Sequence, residues 1–227
     1  HLNFAKRFNC QYTYVKSNFR DIEKWKSCFY KRNWWLEISY IPNIVGLLIP
    51  CAYNFGGEKI IVGSSFPQED FKKHKIADSN YLPIVNSFKF ANSFVEQGDA
   101  DLTRSEKIKN IVNCFNAYND IKLLVCWQYK DELFNCCNCE KCFRTIMNIT
   151  SCKEDPNKYG FSVNKAKYLQ IKRFIQNNTV PIILWKEIQS DFLQDKKFWK
   201  KQKEIKWILK IKFNKKTKQK NLLFYIK

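Results

Sequence analysis

The 227 residues predict an α/β domain, a mostly parallel sheet flanked by helices, and three observations carry that reading. Two short apolar runs, Lys59-Ile60-Ile61-Val62 and residues 121–125, have the length and β-branched content of strands buried on both faces. Between them, Thr103-Arg104-Ser105-Glu106 places Thr at an N-cap and Glu three residues on, ahead of Ile108, Ile111, Val112 and Phe115 at helical spacing. Apolar residues make up 45% of the chain, with only 6 Gly and 6 Pro, which supplies a core and excludes disordered and collagen-like classes. Strands that alternate with helices pair in parallel.

The elements follow in order. Residues 2–9 have a short helical pattern, and residues 11–16 alternate aromatic and β-branched positions as a strand does. Residues 34–53 are apolar and predict a buried helix bent near Pro42 or Pro50. The most apolar stretch, 41–55, is broken by Pro42, Asn43 and Pro50, so no transmembrane segment is expected. The run at 59–62 ends in the turn Gly63-Ser64-Ser65, residues 66–81 are polar and loop-like, and residues 93–96 form a weak strand. From about Lys165 onward the pattern is helical and increasingly basic. The organisation expected is an α/β part over 1–160, a helical part over 161–195 and a basic amphipathic helical tail over 196–227.

The net charge of +19 comes from 34 Lys and only 6 Arg against 21 acids. Arg is the better geometric reader of phosphates and bases, so lysine excess alone is weak evidence for nucleic-acid binding. The stretch 196–220, with 12 Lys and Glu204 as its one acid, reads first as a solvated helix face. A nucleic-acid or anionic-membrane surface is the alternative.

The ten cysteines are more informative than the charge. No signal-peptide h-region opens the sequence, so a reducing, cytoplasmic setting is expected and the cysteines are not read as a disulfide framework. Cys126, Cys136, Cys139 and Cys142 have the spacing Cys-x9-Cys-x2-Cys-x2-Cys. Two thiols on a tight turn, a third on the first turn of the next helix and a fourth from a preceding strand can supply four tetrahedral ligands, and a structural Zn2+ is the metal expected. The ferredoxin run fails, because Ile146 stands where its spacing continues. Cys137 is a second candidate beside Cys136, although the two-residue gap to Cys139 favours Cys136. Cys51 and Cys114 read as small buried apolar residues, and Glu140 and Lys141 as exposed.

The run Asn135-Cys136-Cys137-Asn138-Cys139-Glu140-Lys141-Cys142-Phe143-Arg144-Thr145, preceded by Val125-Cys126-Trp127, resembles the zinc segment of the 7-cyano-7-deazaguanine synthase-like branch of PP-loop ATP pyrophosphatases. Cys137 stands where the family run has Gly. Thr103-Arg104-Ser105-Glu106 looks like the family's Thr-Lys/Arg-x-Glu helix start, and Ile61-Val62-Gly63-Ser64-Ser65 like its strand and turn beside the nucleotide; order and distances agree over about residues 10–150. The resemblance implies a Rossmann-like adenine-nucleotide alpha-hydrolase fold. It also implies an enzyme that uses ATP with Mg2+ to adenylate a carboxylate or carbonyl oxygen of a small molecule, which ammonia or another amine then displaces. A homodimer is left open. Ser64, Ser65, Thr103 and Arg104 become candidate nucleotide- or substrate-binding residues by their place at strand and helix ends.

The family's Ser-Gly-Gly-x-Asp-Ser loop is absent from the 227 residues; Gly56-Gly57 precedes a strand instead of following one. An N-terminally truncated enzyme, inactive alone, is therefore expected. A non-catalytic zinc-stapled module that binds nucleic acid or a protein partner is the alternative.

Overall fold

The computed structural model describes residues 2–19, 21, 33–115, 122–126, 128 and 135–213. The chain divides into two compact units, His1–Thr103 and Arg104–Leu222. The division falls at the capping sequence, whereas composition placed the boundaries near 160 and 195.

In the first unit, helix α1 spans Leu2–Arg7. Residues 11–16 form no strand: Tyr12, Tyr14 and Val15 are exposed, and no described strand lies beside them to satisfy a ladder. A helix then runs over Trp35–Asn54, π-helical at Trp35–Ser39 and α-helical (α2) at Tyr40–Asn54. The wide turn before Pro42 relieves the clash of its ring with the carbonyl four residues back, and Pro50 lies inside the helix. The expected interruption does not occur. At 20 residues the helix is long and apolar enough to cross a membrane, and only 17% of its apolar window is buried. Its inner face is buried through Ile41 and Val45.

That face packs on a three-stranded sheet of order β1-β3-β2, with β1 at Lys59–Gly63, β2 at Lys89–Phe90 and β3 at Ser93–Gly98. β1 and β3 are parallel, with Ile60 opposite Val95 and Val62 opposite Gln97, and β2 is antiparallel to β3. The sheet is thus mixed. It is also covered on one side: Ile60, Val62 and Val95 join Ile41, Val45 and Val85 in one core, while Ile61 is 63% exposed.

Helix α3, Gln68–His74, forms inside the segment expected to be a loop. Its acids Glu69 and Asp70 lie in the first turn and Lys72, Lys73 and His74 in the last, which complements the helix dipole. His74 faces Asp70 at 3.7 Å. One-turn helix α4 spans Leu82–Val85.

The second unit is helical: α5 at Arg104–Phe115, α6 at Glu140–Ser151, α7 at Lys165–Asn177, α8 at Ile182–Gln194 and α9 at Lys196–Lys201, with 3-10 turns at Pro156–Tyr159 and Lys206–Leu209. Its core joins Ile146, Met147 and Phe143 of α6 to Ile171, Trp185, Ile188 and Phe192. Trp199, Ile205 and Ile208 belong to the same core, so residues 196–213 fold back as short turns rather than one amphipathic helix, and the rest of the expected tail lies outside the described residues. The strand expected at 121–125 is not formed. Residues 122–126 are irregular, and Ile121 lies outside the described residues.

The alternation in β1 gives a direct test. Truncating Ile60 to Ala should cost about 2–4 kcal/mol, whereas Ile61→Ala should cost under about 1 kcal/mol because that side chain is already in water. Urea unfolding of both variants reads the difference; equal costs would mean that both faces are covered.

Candidate metal centre

The four thiols picked out by spacing converge. The Sγ atoms of Cys126, Cys136, Cys139 and Cys142 all lie within 4.8 Å of one another. The Cys126–Cys139 pair is 4.0 Å apart and the Cys136–Cys142 pair 3.9 Å. Four bonds of ~2.3 Å at tetrahedral angles would space the sulfurs at about 3.8 Å, so this set fits one zinc-sized ion. All four are free thiols.

Local structure explains the convergence. Cys139 is the N-cap of α6 and Cys142 lies in its first turn, where the positive end of the helix favours thiolate. Cys136 accepts the Asn138 N–H at 3.4 Å, a backbone bond that orients its sulfur. The loop tip is held by α7, as Lys167 Nζ and Gln170 Nε2 each donate to Asn138 Oδ1 at 3.1 Å. Cys137 stands apart from the ligand set: Ser162 N–H donates to its sulfur at 3.2 Å, and the thiol faces the Asn135 carbonyl. Its φ of +53° lies in the left-handed region that suits glycine.

Asn135 brings Cys126 to the loop. Its buried side chain accepts from the N–H groups of Val125 at 3.1 Å and Cys126 at 3.2 Å, and donates to the carbonyls of Leu123 at 2.7 Å and Gly160 at 3.0 Å. One amide thus takes the place of the neighbouring strand that residues 121–125 were expected to have. Sequence reading quoted Asn135 only as part of the run. An amide directly before the first Cys of a Cys-x2-Cys turn was the available signal.

The charges around the cluster were also missed. Hydrogen bonding from Cys142 holds the Cys139 thiol down at about 5, and the same pair pushes Cys142 up; burial pushes Cys136 up to about 11. Arg144, quoted in the sequence only as part of the run, is 1% exposed, with its Nη2 3.4 Å from Glu140, and among the described residues Nε and Nη1 have no hydrogen-bond partner. Burial lowers its pKa and Glu140 and Glu187 oppose that, but a guanidinium stays protonated. Glu140 and Lys141 are half-buried rather than exposed. Glu140 accepts the Trp185 indole N–H at 3.0 Å, and burial together with Arg104 and Arg144 pushes Lys141 down. Cys51 is half-buried, and Cys114, expected inside, is exposed.

The other candidates lie elsewhere in the chain. Ser64 and Ser65 follow β1 in the first unit, and both hydroxyls are engaged: Ser64 donates to the Asp99 carbonyl at 2.7 Å and Ser65 to Asp78 at 3.1 Å. Asp78 also accepts from Asn80 N–H at 2.8 Å, and Asn80 donates to Gly63 at 2.9 Å. Thr103 ends the first unit at the N-cap position and Arg104 opens the second. Next to Arg104, Ser105 N–H donates to Glu187 at 2.7 Å and its hydroxyl to Asn148 at 2.9 Å, which ties α5 to α8 and α6.

Comparison with known proteins places the chain in no family. No family model, curated protein or solved structure matches it.

Two predictions follow from this geometry. Mass spectrometry of the native protein should find one divalent metal per chain; Cys139→Ser should abolish it with a loss of several kcal/mol, while Cys137→Ser retains it. Metal retained by the Cys139 variant would refute the ligand set. In the first unit, burial raises the Asp78 pKa, so its folded form binds protons that the unfolded chain has released, and stability falls as pH rises from about 4 through the raised value. Asp78→Asn should remove that slope and raise Tm at pH 7; unchanged Tm–pH curves would count against a raised pKa.

Proposed function

We propose that the four thiols hold a structural zinc ion, and that the chain is part of an ATP-dependent adenylating enzyme of the PP-loop superfamily, similar to 7-cyano-7-deazaguanine synthase. The observation that carries this reading is the left-handed φ of +53° at Cys137, the position at which the family's Asn-Cys-Gly-x-Cys-Glu-Lys-Cys run has Gly. A backbone that favours glycine, at the position where the family run has Gly, adds support beyond the cysteine spacing, because many unrelated zinc sites share Cys-x2-Cys. The Rossmann-like fold of that superfamily is part of the proposal, supported by the parallel β1–β3 pair with Ser64 and Ser65 after β1.

With four thiolate ligands a zinc ion has no open position, so its contribution is to hold residues 122–126 against α6. ATP with Mg2+ would supply the activating group, turning a carboxylate or carbonyl oxygen into an AMP ester that an amine displaces. On this reading Arg104, at the start of α5, meets an anionic oxygen. The thiols require a reducing, cytoplasmic setting to stay free for the metal.

A second reading, a non-catalytic zinc-stapled module, is favoured by the engagement of the Ser64 and Ser65 hydroxyls within the first unit. The two readings differ in pyrophosphate release. The 227-residue chain alone should release none from ATP, because it has no Ser-Gly-Gly-x-Asp-Ser sequence. A gene product that carries this loop before His1 should release pyrophosphate with its carboxylate substrate, and Arg104→Ala should slow it about 10-fold or more. Coding sequence that opens in frame without the loop would leave the module as the reading.

A further inference from the structure

We infer that a basic groove in the second unit binds single-stranded nucleic acid through its phosphates and stacks bases on Trp207. The groove, about 530 Å3, lies between α7 and the turn that follows α9. Lys172 lines it from α7, and Lys210 and Lys212 from the segment after the last 3-10 turn; the half-buried Trp207 and Ile211, with Ile175 buried, supply the apolar lining. Among the described residues no acid lines it, and none of the three lysines forms an ion pair. Three uncompensated cations in one concavity attract an anion from any distance within a Debye length.

The wall is built rather than draped. Gln189 Nε2 donates to the carbonyls of Ile208 at 2.8 Å and Ile211 at 3.0 Å, and Ile208 is fully buried. The lysines are therefore carried on a fixed turn. Lys215, Lys216, Lys218 and Lys220 follow in sequence, outside the described residues.

The chemistry of the lining selects among polyanions. A bilayer surface is flat and meets a concave site poorly. An acidic peptide would use the lysines but has no systematic use for an indole beside two isoleucines. A single strand uses both, since cations track its backbone while aromatic rings stack on bases of any sequence. Lysine without arginine reads charge and not base edges, so the binding should be insensitive to sequence. The inference is independent of the adenylating reading and holds beside either proposal for the rest of the chain.

Fluorescence anisotropy with labelled 12-nucleotide oligo-dT and oligo-rU, on the zinc-loaded 227-residue protein over 50–300 mM salt, tests it. Binding should weaken linearly on a log–log plot, by about 0.7 of slope per phosphate neutralised. K172E/K210E/K212E should lose at least 10-fold in affinity at 100 mM salt and flatten the slope by about 2. The milder K172Q/K210Q/K212Q guards against misfolding, with circular dichroism and zinc content read on both. Trp207→Leu should weaken binding about 10-fold at every salt with the slope unchanged, and Trp207→Phe should restore most of it. Wild-type affinity in the folded glutamine variant would overturn the inference. So would loss that follows only substitution of Lys215, Lys216, Lys218 and Lys220, or equal affinity for phosphatidylserine vesicles or poly-glutamate.

Discussion

Four thiols drawn within 4.8 Å of one another form the constraint on which the second unit depends. As thiolates they would repel strongly at that range, and as thiols they would leave buried sulfur with poor partners. A divalent ion removes both penalties. The spacing of 3.9–4.0 Å between opposed pairs fits tetrahedral coordination, and the surroundings act as if charge must be balanced. Asn138 N–H points at Cys136, the α6 N-terminus lies at Cys139, and cationic Lys141 and Arg144 sit within two residues of the ligands.

That constraint propagates through a few polar side chains rather than through a sheet. Asn135 satisfies four backbone groups of the irregular segment that carries Cys126 and of the turn at Gly160. Glu140 links α6 to Trp185, a fully buried residue of α8. Ser105 links α5 to both α6 and α8. Each contact has one amide, carboxylate or hydroxyl in an otherwise apolar core, where an unpaired partner costs about 1–3 kcal/mol, so the helices are fixed in register as well as packed.

The first unit depends on a different balance. Its parallel β1–β3 pair is buried by α2 on one side and open on the other, where Ile61 and Phe94 are exposed around the Lys59–Glu96 ion pair. Parallel pairs usually have both faces covered. The Trp35–Asn54 helix is likewise apolar beyond the face that the sheet buries. The unit is therefore richer in uncovered apolar surface than the second, and its stability rests on the small core around Ile41, Val45 and Val95.

The sequence by itself determined the features that depend on local spacing. The four converging thiols, the helix after Thr103, the strands at 59–62 and 93–96 and the helices after Lys165 were all legible, because periodicity and Cys-x2-Cys turns are properties of neighbouring residues. Features that depend on what lies opposite were not. Residues 11–16 and 122–125 have strand composition but no strand beside them among the described residues, and a strand exists only where a partner completes its ladder. Gln68–His74 is helical although only Phe71 is buried, its charges at both ends doing what apolar periodicity could not announce. The left-handed backbone at Cys137, the burial of Arg144 and the fourfold use of Asn135 are decisions of tertiary structure alone, since burial and hydrogen-bond partners across 10–25 residues of chain are set only when the units close around them.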